Sequence, residues 1–256
     1  RILIIGEDIV QTDPNSAHVV EAMNSLELLV VQEIFMSETA KLATVVLPGT
    51  TFLEKDGTFT NTERRIQRVN KAVPPLPGTK PDGVIVTDMM QKLGFDQPTY
   101  DADQVLKEIA DVVPFFKGVT RERLGKLGLQ WPVQEDGTDT QILHTETFKL
   151  GRGRLKNFDW KESTEIETNK KEYPLILTTS RVLQHYNAAT MTRRTKNINI
   201  VDEDVLLIHP KDAAYRDINT GDIGRLYSGR GEVALKVEVT DKVKEGIVFT
   251  TFHFPE

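Results

Sequence analysis

Short apolar runs alternate with helical patterns in the first third of the chain. Residues 1–5, 28–31 and 44–47 are apolar and largely β-branched or leucine-rich, and each is short enough for one buried strand. Apolar residues at near-helical spacing separate the first two runs, and a short helix is predicted over residues 38–43. Strands that alternate with helices are typical of a parallel sheet covered by helices. The pattern therefore predicts part of a Rossmann-like parallel α/β domain.

The spacing of apolar and polar residues is less regular in the middle of the chain. Residues 50–73 are polar and charged and fit neither a strand nor a helix, so we predict a long structured loop, which in a compact domain is more often functional than idle. Several prolines then break the chain before a helix predicted over about 82–93, and further helices are predicted within 101–128. The polar stretch EDGTDTQ at 135–141 predicts an exposed connector.

The pattern changes after Tyr173 to short strands separated by glycine and aspartate turns. The strands are predicted at LILTTS, DVLLIH, IGRLYS, EVALKVEV and GIVFTTF, with one short helix over 211–215. Closely spaced strands of this kind are typical of a small closed or nearly closed β-barrel. We therefore divide the chain into an α/β region over 1–130, a connector over 131–172 and a barrel domain over 173–256.

Composition and charge argue against several functional classes of protein. The 256-residue chain carries a net charge of −6, which argues against a general nucleic-acid surface or a polybasic membrane anchor. No apolar run approaches the roughly 20 residues that span a bilayer, so we expect no direct membrane insertion and a cytoplasmic location. The chain has no cysteine, and its five histidines are far apart, so no protein-bound metal is expected within it. Because Arg1 begins inside an apolar strand pattern, we expect a preceding segment in a larger enzyme.

Acidic and amide side chains follow the first two predicted strands. Glu7 and Asp8 come after the first strand, and Gln32 and Glu33 end the second. Open α/β sheets bind ligands at the carboxyl ends of their strands, where a carboxylate can accept hydrogen bonds from ribose hydroxyls or guanine N–H groups. The alternative is that each carboxylate caps a helix or faces water. No G-x-G-x-x-G follows the first strand, so a standard dinucleotide fingerprint is absent.

Four ordered segments of the sequence resemble one known family. The segments GEDIVQTDPN, QEIFMSETAKLATVVLP, FLEKDGTFTNTERRIQR and LTTSRVLQHYNAATMTRRT are similar to the C-terminal half of molybdopterin oxidoreductases that bind two molybdopterin guanine dinucleotides. Within this superfamily, the chain most resembles the catalytic alpha subunit of formate dehydrogenase. The resemblance implies an α/β molybdopterin-binding region followed by a double-psi β-barrel, truncated here at its end.

The resemblance also implies a nucleotide-binding set in the α/β region. Its members hold the nucleotide portion of one molybdopterin guanine dinucleotide and are Glu7 or Asp8, Gln32, Glu33, Lys55 and Asp82. A carboxylate suits the adjacent N–H donors of guanine, and a lysine suits a phosphate. The alternatives are a solvated Lys55 and an Asp82 that only caps the helix after Pro81. For Glu63, Arg64 and Arg65 we favour a salt-bridged surface run.

A second implied set lies in the barrel. The segment TSRVLQHYNA resembles the loop that wraps pterin and phosphate groups, and its polar members are Thr179, Ser180, Arg181, His185 and Asn187. Arg181 is the best cation, because a guanidinium presents a rigid donor fork to phosphate oxygens and pterin edges. Residues 192–194 extend this basic patch. Phe252 matches an aromatic position beside the cofactor. The alternatives are a hydrogen-bonded barrel histidine at 185 and a core phenylalanine at 252.

The resemblance finally implies an activity for the whole protein. It would oxidise formate to carbon dioxide at molybdenum or tungsten held by two pterins and pass electrons to an iron–sulfur cluster. The iron–sulfur cysteines and the metal ligand would precede Arg1, so we assign no catalytic residue here and expect this segment alone to be inactive. The implied partners are the upstream domains and electron-transfer subunits carrying iron–sulfur clusters or flavin.

Two alternatives remain open. One is a nitrate reductase of the same superfamily, which shares the LEKDGTFTNTERR-like motif. The other is a non-catalytic relative of the large subunit of NADH dehydrogenase. Lys55, Asp82 and the SRVLQHYN segment argue against the second alternative, because a subunit without pterin has no need for pterin-binding groups.

Overall fold

The chain forms two compact units, Arg1–Leu155 and Lys156–Glu256, in a computed structural model. The structure describes residues 1–254, apart from the side chains of residues 165–167. The division falls inside the connector proposed from the sequence over 131–172, so residues 131–155 group with the first unit. Each unit has its own sheet and its own apolar core.

The first unit contains two sheets and several helices. Its helices are α1 (Ile9–Thr12), α2 (Ser16–Asn24), α3 (Glu38–Lys41), α4 (Asp82–Lys92), α5 (Ala102–Val112) and α6 (Arg121–Leu124). Its strands are β1 (Ile2–Ile5), β2 (Leu29–Glu33), β3 (Val45–Pro48), β4 (Gly57–Thr60), β5 (Arg65–Val69) and β6 (Leu129–Gln130).

The first sheet is parallel, in the order β1-β2-β3. The inward side chains of Ile4, Leu29 and Val31 pack with Ala40 of α3 into one core cluster. The apolar runs thus form the strands that the sequence predicted, because their side chains fill one buried layer. The parallel direction brings the carboxyl ends of all three strands to one edge of the sheet, where polar side chains follow each strand.

The second sheet is antiparallel and was not predicted. Strands β4 and β5 form a hairpin, and β6 pairs with β5 through Ile66 and Leu129. The prediction of a long loop over 50–73 was therefore wrong. Only Ile66 is buried among the hairpin residues, so most positions are polar on both faces and no period of two is visible.

The first unit contains a second core cluster of buried apolar side chains. Ile66 packs there with Leu106 of α5, Val119, Leu124 of α6 and Val133, all of them buried. Val133 lies in the segment assigned to a connector from its polar surroundings. Its burial places that segment in the folded core, because removing a buried valine from water is favourable by about 1.5–3 kcal/mol.

Arg64 fixes the segment that follows this core. Its guanidinium donates to the backbone oxygens of Trp131, Thr140 (3.1 Å) and Gln141 (2.9 Å) and lies 5.6 Å from the centre of the Trp131 ring. The interpretation of 63–65 as a surface ion-pair run holds for Glu63 and Arg65, 3.0 Å apart. It is wrong for Arg64, which instead pins the 131–141 segment to the first unit.

The second unit is built on one mixed sheet. Its helices are α7 (Thr164–Asn169) and α8 (Pro210–Tyr215), and its strands are β7 (Ile176–Ser180), β8 (Val205–Ile208), β9 (Ile223–Ser228), β10 (Gly231–Val239) and β11 (Ile247–Thr251). The strand order is β7-β11-β8-β10-β9, with β7 and β9 at the two edges within the described residues. Leu206, Ile208, Ala213, Val237 and Val248 form its core. The five strands and the short helix were predicted from the sequence, and their positions are confirmed.

Glu54 stabilises the turn that leads from β3 into the hairpin. Its carboxylate accepts hydrogen bonds from the N–H and hydroxyl of Thr51 (both 2.8 Å) and from the N–H of Leu76 (2.8 Å). These bonds favour the ionised form, and the Thr51 N–H contributes most to holding the pKa of Glu54 below its ordinary value. The turn therefore depends on a charged Glu54.

Replacing Glu54 with glutamine is expected to lower the melting temperature at pH 7. A lowered folded-state pKa gives stability that is present above the unfolded value of about 4.3 and is lost as the pH falls through the folded value. The difference between the variant and the wild type should therefore shrink below about pH 4. Thermal unfolding at pH 7 and at pH 3 checks this, and an equal difference at both pH values would contradict it.

Candidate functional site

Gln32, Lys55 and Asp82 meet at the carboxyl edge of the parallel sheet. Gln32 near the end of β2 is buried, and its Nε2 donates to Oδ1 of Asp82 at 2.6 Å. Lys55 Nζ pairs with Oδ2 of the same carboxylate and lies 3.4 Å from the carbonyl oxygen of Thr50. Three residues proposed from the sequence, which lie as much as 50 positions apart, thus form one cluster.

The local backbone explains why these groups meet. Asp82 is the first residue of α4, where the positive end of the helix dipole favours a carboxylate. Its side-chain oxygens bind Gln32 and Lys55, so its contacts reach well beyond its own helix. Gly49 follows β3, and a Cβ there would lie only 3.4 Å from Asp82 Oδ1. The end of β3 therefore lies close to the Asp82 carboxylate, and a Cβ at position 49 would be in ordinary van der Waals contact with it.

Two polar atoms in this cluster are unsatisfied. Gln32 Oε1 and Thr50 Oγ1 are buried without a hydrogen-bond partner within the described part of the chain. A buried polar atom without a partner costs about 1–3 kcal/mol. The cluster can therefore accept hydrogen bonds from a ligand through Gln32, exchange one with the Thr50 hydroxyl, and offer a cation at Lys55. The sequence analysis did not single out Thr50.

A cleft of about 230 Å³ lies beside the Lys55–Asp82 pair. Tyr100 lines it, and its ring packs against Gly83, where a Cβ would fall 2.1 Å from a ring carbon. Burial of the phenol raises the pKa of Tyr100, and the charges of Asp82 and Asp101 raise it further. Tyr100 therefore stays a neutral hydroxyl at physiological pH. The sequence analysis did not single it out.

The other acidic candidates are engaged locally. Asp8 is buried and accepts hydrogen bonds from Thr39 N (2.9 Å), Thr39 Oγ1 (2.7 Å) and Glu38 N (3.3 Å) at the start of α3. Glu7 is exposed and accepts from the Thr12 hydroxyl at 3.0 Å, and Glu33 accepts from the next backbone N–H at 2.7 Å. Asp8 thus has the helix-capping role that the sequence left open as its alternative, and it ties β1 to α3.

The second unit presents polar side chains at the end of β7. Thr179 and Ser180 are exposed on this edge strand, and Arg181 follows with its guanidinium carbon 5.8 Å from the centre of the Phe252 ring. Asn187 is also exposed and has a left-handed backbone, with φ of 50°. The structure therefore brings Arg181 and Phe252 together.

His185 is a hydrogen-bonded interior histidine. It is buried, and its ring nitrogens lie 3.0 Å from the Thr192 hydroxyl and 2.8 Å from the Val201 carbonyl oxygen. Both nitrogens are therefore used within the unit, which favours the alternative kept for this residue over direct ligand contact. The sequence analysis overlooked a second histidine nearby, His253, although a polar residue between two phenylalanines after a strand is a visible signal.

Residues 1–254, without the side chains of residues 165–167, contain neither a candidate metal centre nor a candidate membrane-spanning helix. No group of three or more histidine, cysteine, aspartate or glutamate side chains is arranged to hold a metal ion. No helix there is long and apolar enough to cross a membrane.

Two families match this chain, one in each unit. Residues 1–92 match the molybdopterin oxidoreductase family, and residues 175–256 match the molydopterin dinucleotide binding domain. The chain therefore combines a molybdopterin oxidoreductase region with a molydopterin dinucleotide binding domain. The family resemblance carried by the four sequence segments is confirmed.

Relatives of known function are formate dehydrogenase subunits. The chain is 43% identical to the F420-dependent formate dehydrogenase subunit alpha of Methanocaldococcus jannaschii and 42% identical to the F420-dependent formate dehydrogenase 1 subunit alpha of Methanococcus maripaludis. Both alignments cover 100% of this chain and 38% of the relative. It is also 41% identical, over 93% of its length, to 24% of the probable oxidoreductase YjgC of Bacillus subtilis. The chain thus spans less than two-fifths of these relatives.

A solved structure has the same fold. Acetylene hydratase from Pelobacter acetylenicus superposes with a TM-score of 0.72 at 20% identity, covering 97% of this chain and 36% of that chain. At this identity the likeness supports the mixed α/β architecture alone.

Proposed function

We propose that this chain is the cofactor-holding C-terminal part of a formate dehydrogenase alpha subunit. The observation that carries the proposal is the Gln32–Lys55–Asp82 cluster with its two unsatisfied polar atoms. It lies in the region that matches the molybdopterin oxidoreductase family, in a chain 43% identical to formate dehydrogenase subunits. We propose molybdopterin guanine dinucleotide as the ligand, with one nucleotide held in the first unit.

The chemistry of the cluster suits a guanine nucleotide. Guanine presents adjacent N–H donors, for which Asp82 and Gln32 Oε1 are acceptors, and ribose hydroxyls bind in the same way. Lys55 supplies the positive charge that a pyrophosphate requires. Exposed Glu7 and half-buried Glu33 are further acceptors beside the same strand ends. Asp8 supports them by fixing β1 to α3 and contributes no free acceptor of its own.

The second unit supplies donors for a pterin or its phosphate. Arg181 offers a planar donor fork, and Thr179, Ser180 and Asn187 offer short exposed hydrogen-bonding groups. Phe252 lies against the Arg181 guanidinium and so limits the directions in which it can point. His185 belongs to the scaffold beneath this loop, because both of its nitrogens are already bonded.

The cofactor and the residues of this chain would contribute differently to the reaction. When bound, the pterin pair would carry the molybdenum or tungsten at which formate is oxidised to carbon dioxide, with electrons leaving through an iron–sulfur cluster. The residues of this chain bind and orient that group, and none is proposed as catalytic. We further propose that the parallel sheet β1-β2-β3 is part of a Rossmann-like domain and that the five-stranded sheet of the second unit is part of a double-psi barrel. The proposed partners are the upstream domains of the same subunit and electron-transfer subunits with iron–sulfur clusters or flavin.

Nucleotide release from the full-length protein tests the proposal. Anaerobic denaturation is expected to liberate guanine nucleotide in proportion to the chain, one for each bound pterin dinucleotide. The intact protein is also expected to reduce a viologen dye with formate. Release of no guanine nucleotide would favour a non-catalytic relative, and nitrate-dependent dye reoxidation without formate activity would favour a nitrate reductase.

A further inference from the structure

The tripeptide Phe252-His253-Phe254 after β11 is joined to the loop 181–189, here called the Arg181 loop. His253 is fully buried. The N–H of Val182 donates to its Nε2 at 3.0 Å, and its Nδ1 lies 2.7 Å from the carbonyl oxygen of Asn187. One imidazole thus bonds the backbone at both the beginning and the middle of the loop.

The two hydrogen bonds fix the form of the imidazole. A carbonyl oxygen only accepts, so Nδ1 must carry the proton that is donated to Asn187. A backbone N–H only donates, so Nε2 must be bare to accept from Val182. The neutral Nδ1–H tautomer alone satisfies both contacts, and neither contact can be made by an apolar side chain of similar size.

The Arg181 loop needs such ties because its backbone is not in a relaxed conformation. Asn187 and Ala189 both adopt left-handed backbone angles, with φ of 50° and 60°. A left-handed conformation costs a residue with a side chain about 1–2 kcal/mol and persists when the surroundings hold it in place. Val182, the residue bound by His253, directly follows Arg181, so the tie acts at the base of the proposed cofactor-binding cation.

The aromatic neighbours of His253 extend the same attachment. Phe252 contacts the Arg181 guanidinium, and the Arg193 guanidinium carbon lies 4.8 Å from the centre of the Phe254 ring. The tripeptide therefore has a buried polar residue between two rings, each in contact with an arginine. This arrangement links the end of β11 to Arg181 at the beginning of the loop and to Arg193, four residues beyond its end.

We propose that His253 is a positioning residue that holds the Arg181 loop in the shape that presents Arg181 and Asn187 to the cofactor. The inference rests on the proposed function for the identity of that cofactor. The two hydrogen bonds between His253 and the loop, by contrast, do not depend on the identity of the cofactor. Loss of the imidazole should therefore loosen the loop first and weaken cofactor retention as a result.

Three substitutions in the full-length, cofactor-loaded protein test this inference. His253→Leu removes both bonds. His253→Gln places an amide oxygen near the Nε2 position and retains an acceptor for Val182, whereas His253→Asn places an amide nitrogen near Nδ1 and retains a donor for Asn187. The readouts are amide hydrogen exchange of residues 181–189 and guanine nucleotide retained per chain after gel filtration. His209→Leu is the matched control, because His209 is a histidine of the same unit that caps α8 through Lys211.

The expected results differ for each variant. His253→Leu should speed exchange of the Val182 amide by about tenfold or more, as expected for a lost hydrogen bond of about 1.4 kcal/mol, and should lower nucleotide retention. His253→Gln should restore protection at Val182, and His253→Asn should not. His209→Leu should leave both readouts of the Arg181 loop unchanged.

Contrary outcomes are equally distinct. Wild-type exchange and retention in His253→Leu would overturn the inference. If that variant does not fold, equal Val182 exchange in His253→Gln and His253→Asn would overturn it instead. A wild-type protein without guanine nucleotide would refute the proposed function, whereas the exchange measurements would still decide whether His253 shapes the loop.

Discussion

Replacing Asp82 with alanine in the full-length protein is expected to weaken binding of the pterin dinucleotide by about thirtyfold or more. Removing one member of a buried, hydrogen-bonded charge pair lowers the binding free energy by about 2–5 kcal/mol. Because Asp82 is partly exposed, we expect a loss at the lower end of this range, which corresponds to about thirtyfold in affinity. The substitution removes the acceptor for guanine, strips buried Gln32 of its partner, and leaves Lys55 without its counter-ion.

The chain offers a matched control on the same helix. Asp88 of α4 pairs with Lys80 at 2.6 Å, and its side chain is 38% exposed, close to the 41% of Asp82. Asp88→Ala removes a carboxylate of similar exposure, together with its ion pair, outside the Gln32–Lys55–Asp82 cluster. Guanine nucleotide retained after extensive dialysis is the measurement. Equal retention in the two variants would show that Asp82 does not contact the nucleotide.

Gly118→Ala is expected to destabilise the first unit by roughly 3 kcal/mol or more, at the upper end of overpacking effects. A Cβ on Gly118 would lie 1.6 Å from the backbone oxygen of Gln134, and the glycine N–H donates to the carbonyl of Val133 at 3.3 Å. The obstructing atom is backbone, so the segment around Val133 must move. Val133 is 1% exposed, and its displacement would open the core cluster.

Gly57→Ala in β4 is the control for this substitution. A Cβ on Gly57 has no neighbour within 4 Å among the described atoms, so we expect no loss of stability and a gain of about 0.5 kcal/mol from reduced backbone entropy. Free energies of unfolding from denaturant titration compare the two variants. Similar values for both would mean that residues 131–134 do not pack as described.

The sequence was informative where burial produces a pattern. Strands β1, β2 and β3 have apolar side chains that fill one layer, so their runs are visible without knowledge of their partners. The strands of the second unit were found for the same reason, together with the glycine and aspartate turns between them. In the hairpin of β4 and β5, only Ile66 is buried, so the sequence shows no alternation of apolar and polar residues there. The strand that pairs with β5, β6, lies about 60 positions further along the chain.

The residues of the candidate site could also be predicted only in part from the sequence. Gln32, Lys55 and Asp82 were selected by family resemblance, and only the fold shows that one carboxylate joins the other two. Asp8 and His185 are chemically as suitable as these, yet their polar atoms are satisfied by neighbours that a sequence does not reveal. The position of His253 between two phenylalanines was a signal in the sequence, but its two partners are backbone groups, which the sequence does not identify.

The unsatisfied Gln32 Oε1 and Thr50 Oγ1 also bear on how the protein matures. Both atoms are buried without a hydrogen-bond partner among the described residues, and an unsatisfied buried polar atom costs about 1–3 kcal/mol. Ligand binding that satisfies them adds to the ordinary mass-action stabilisation of a folded state. Cofactor insertion would thus act as a late folding step, after which the loaded chain resists unfolding and proteolysis better than its empty precursor.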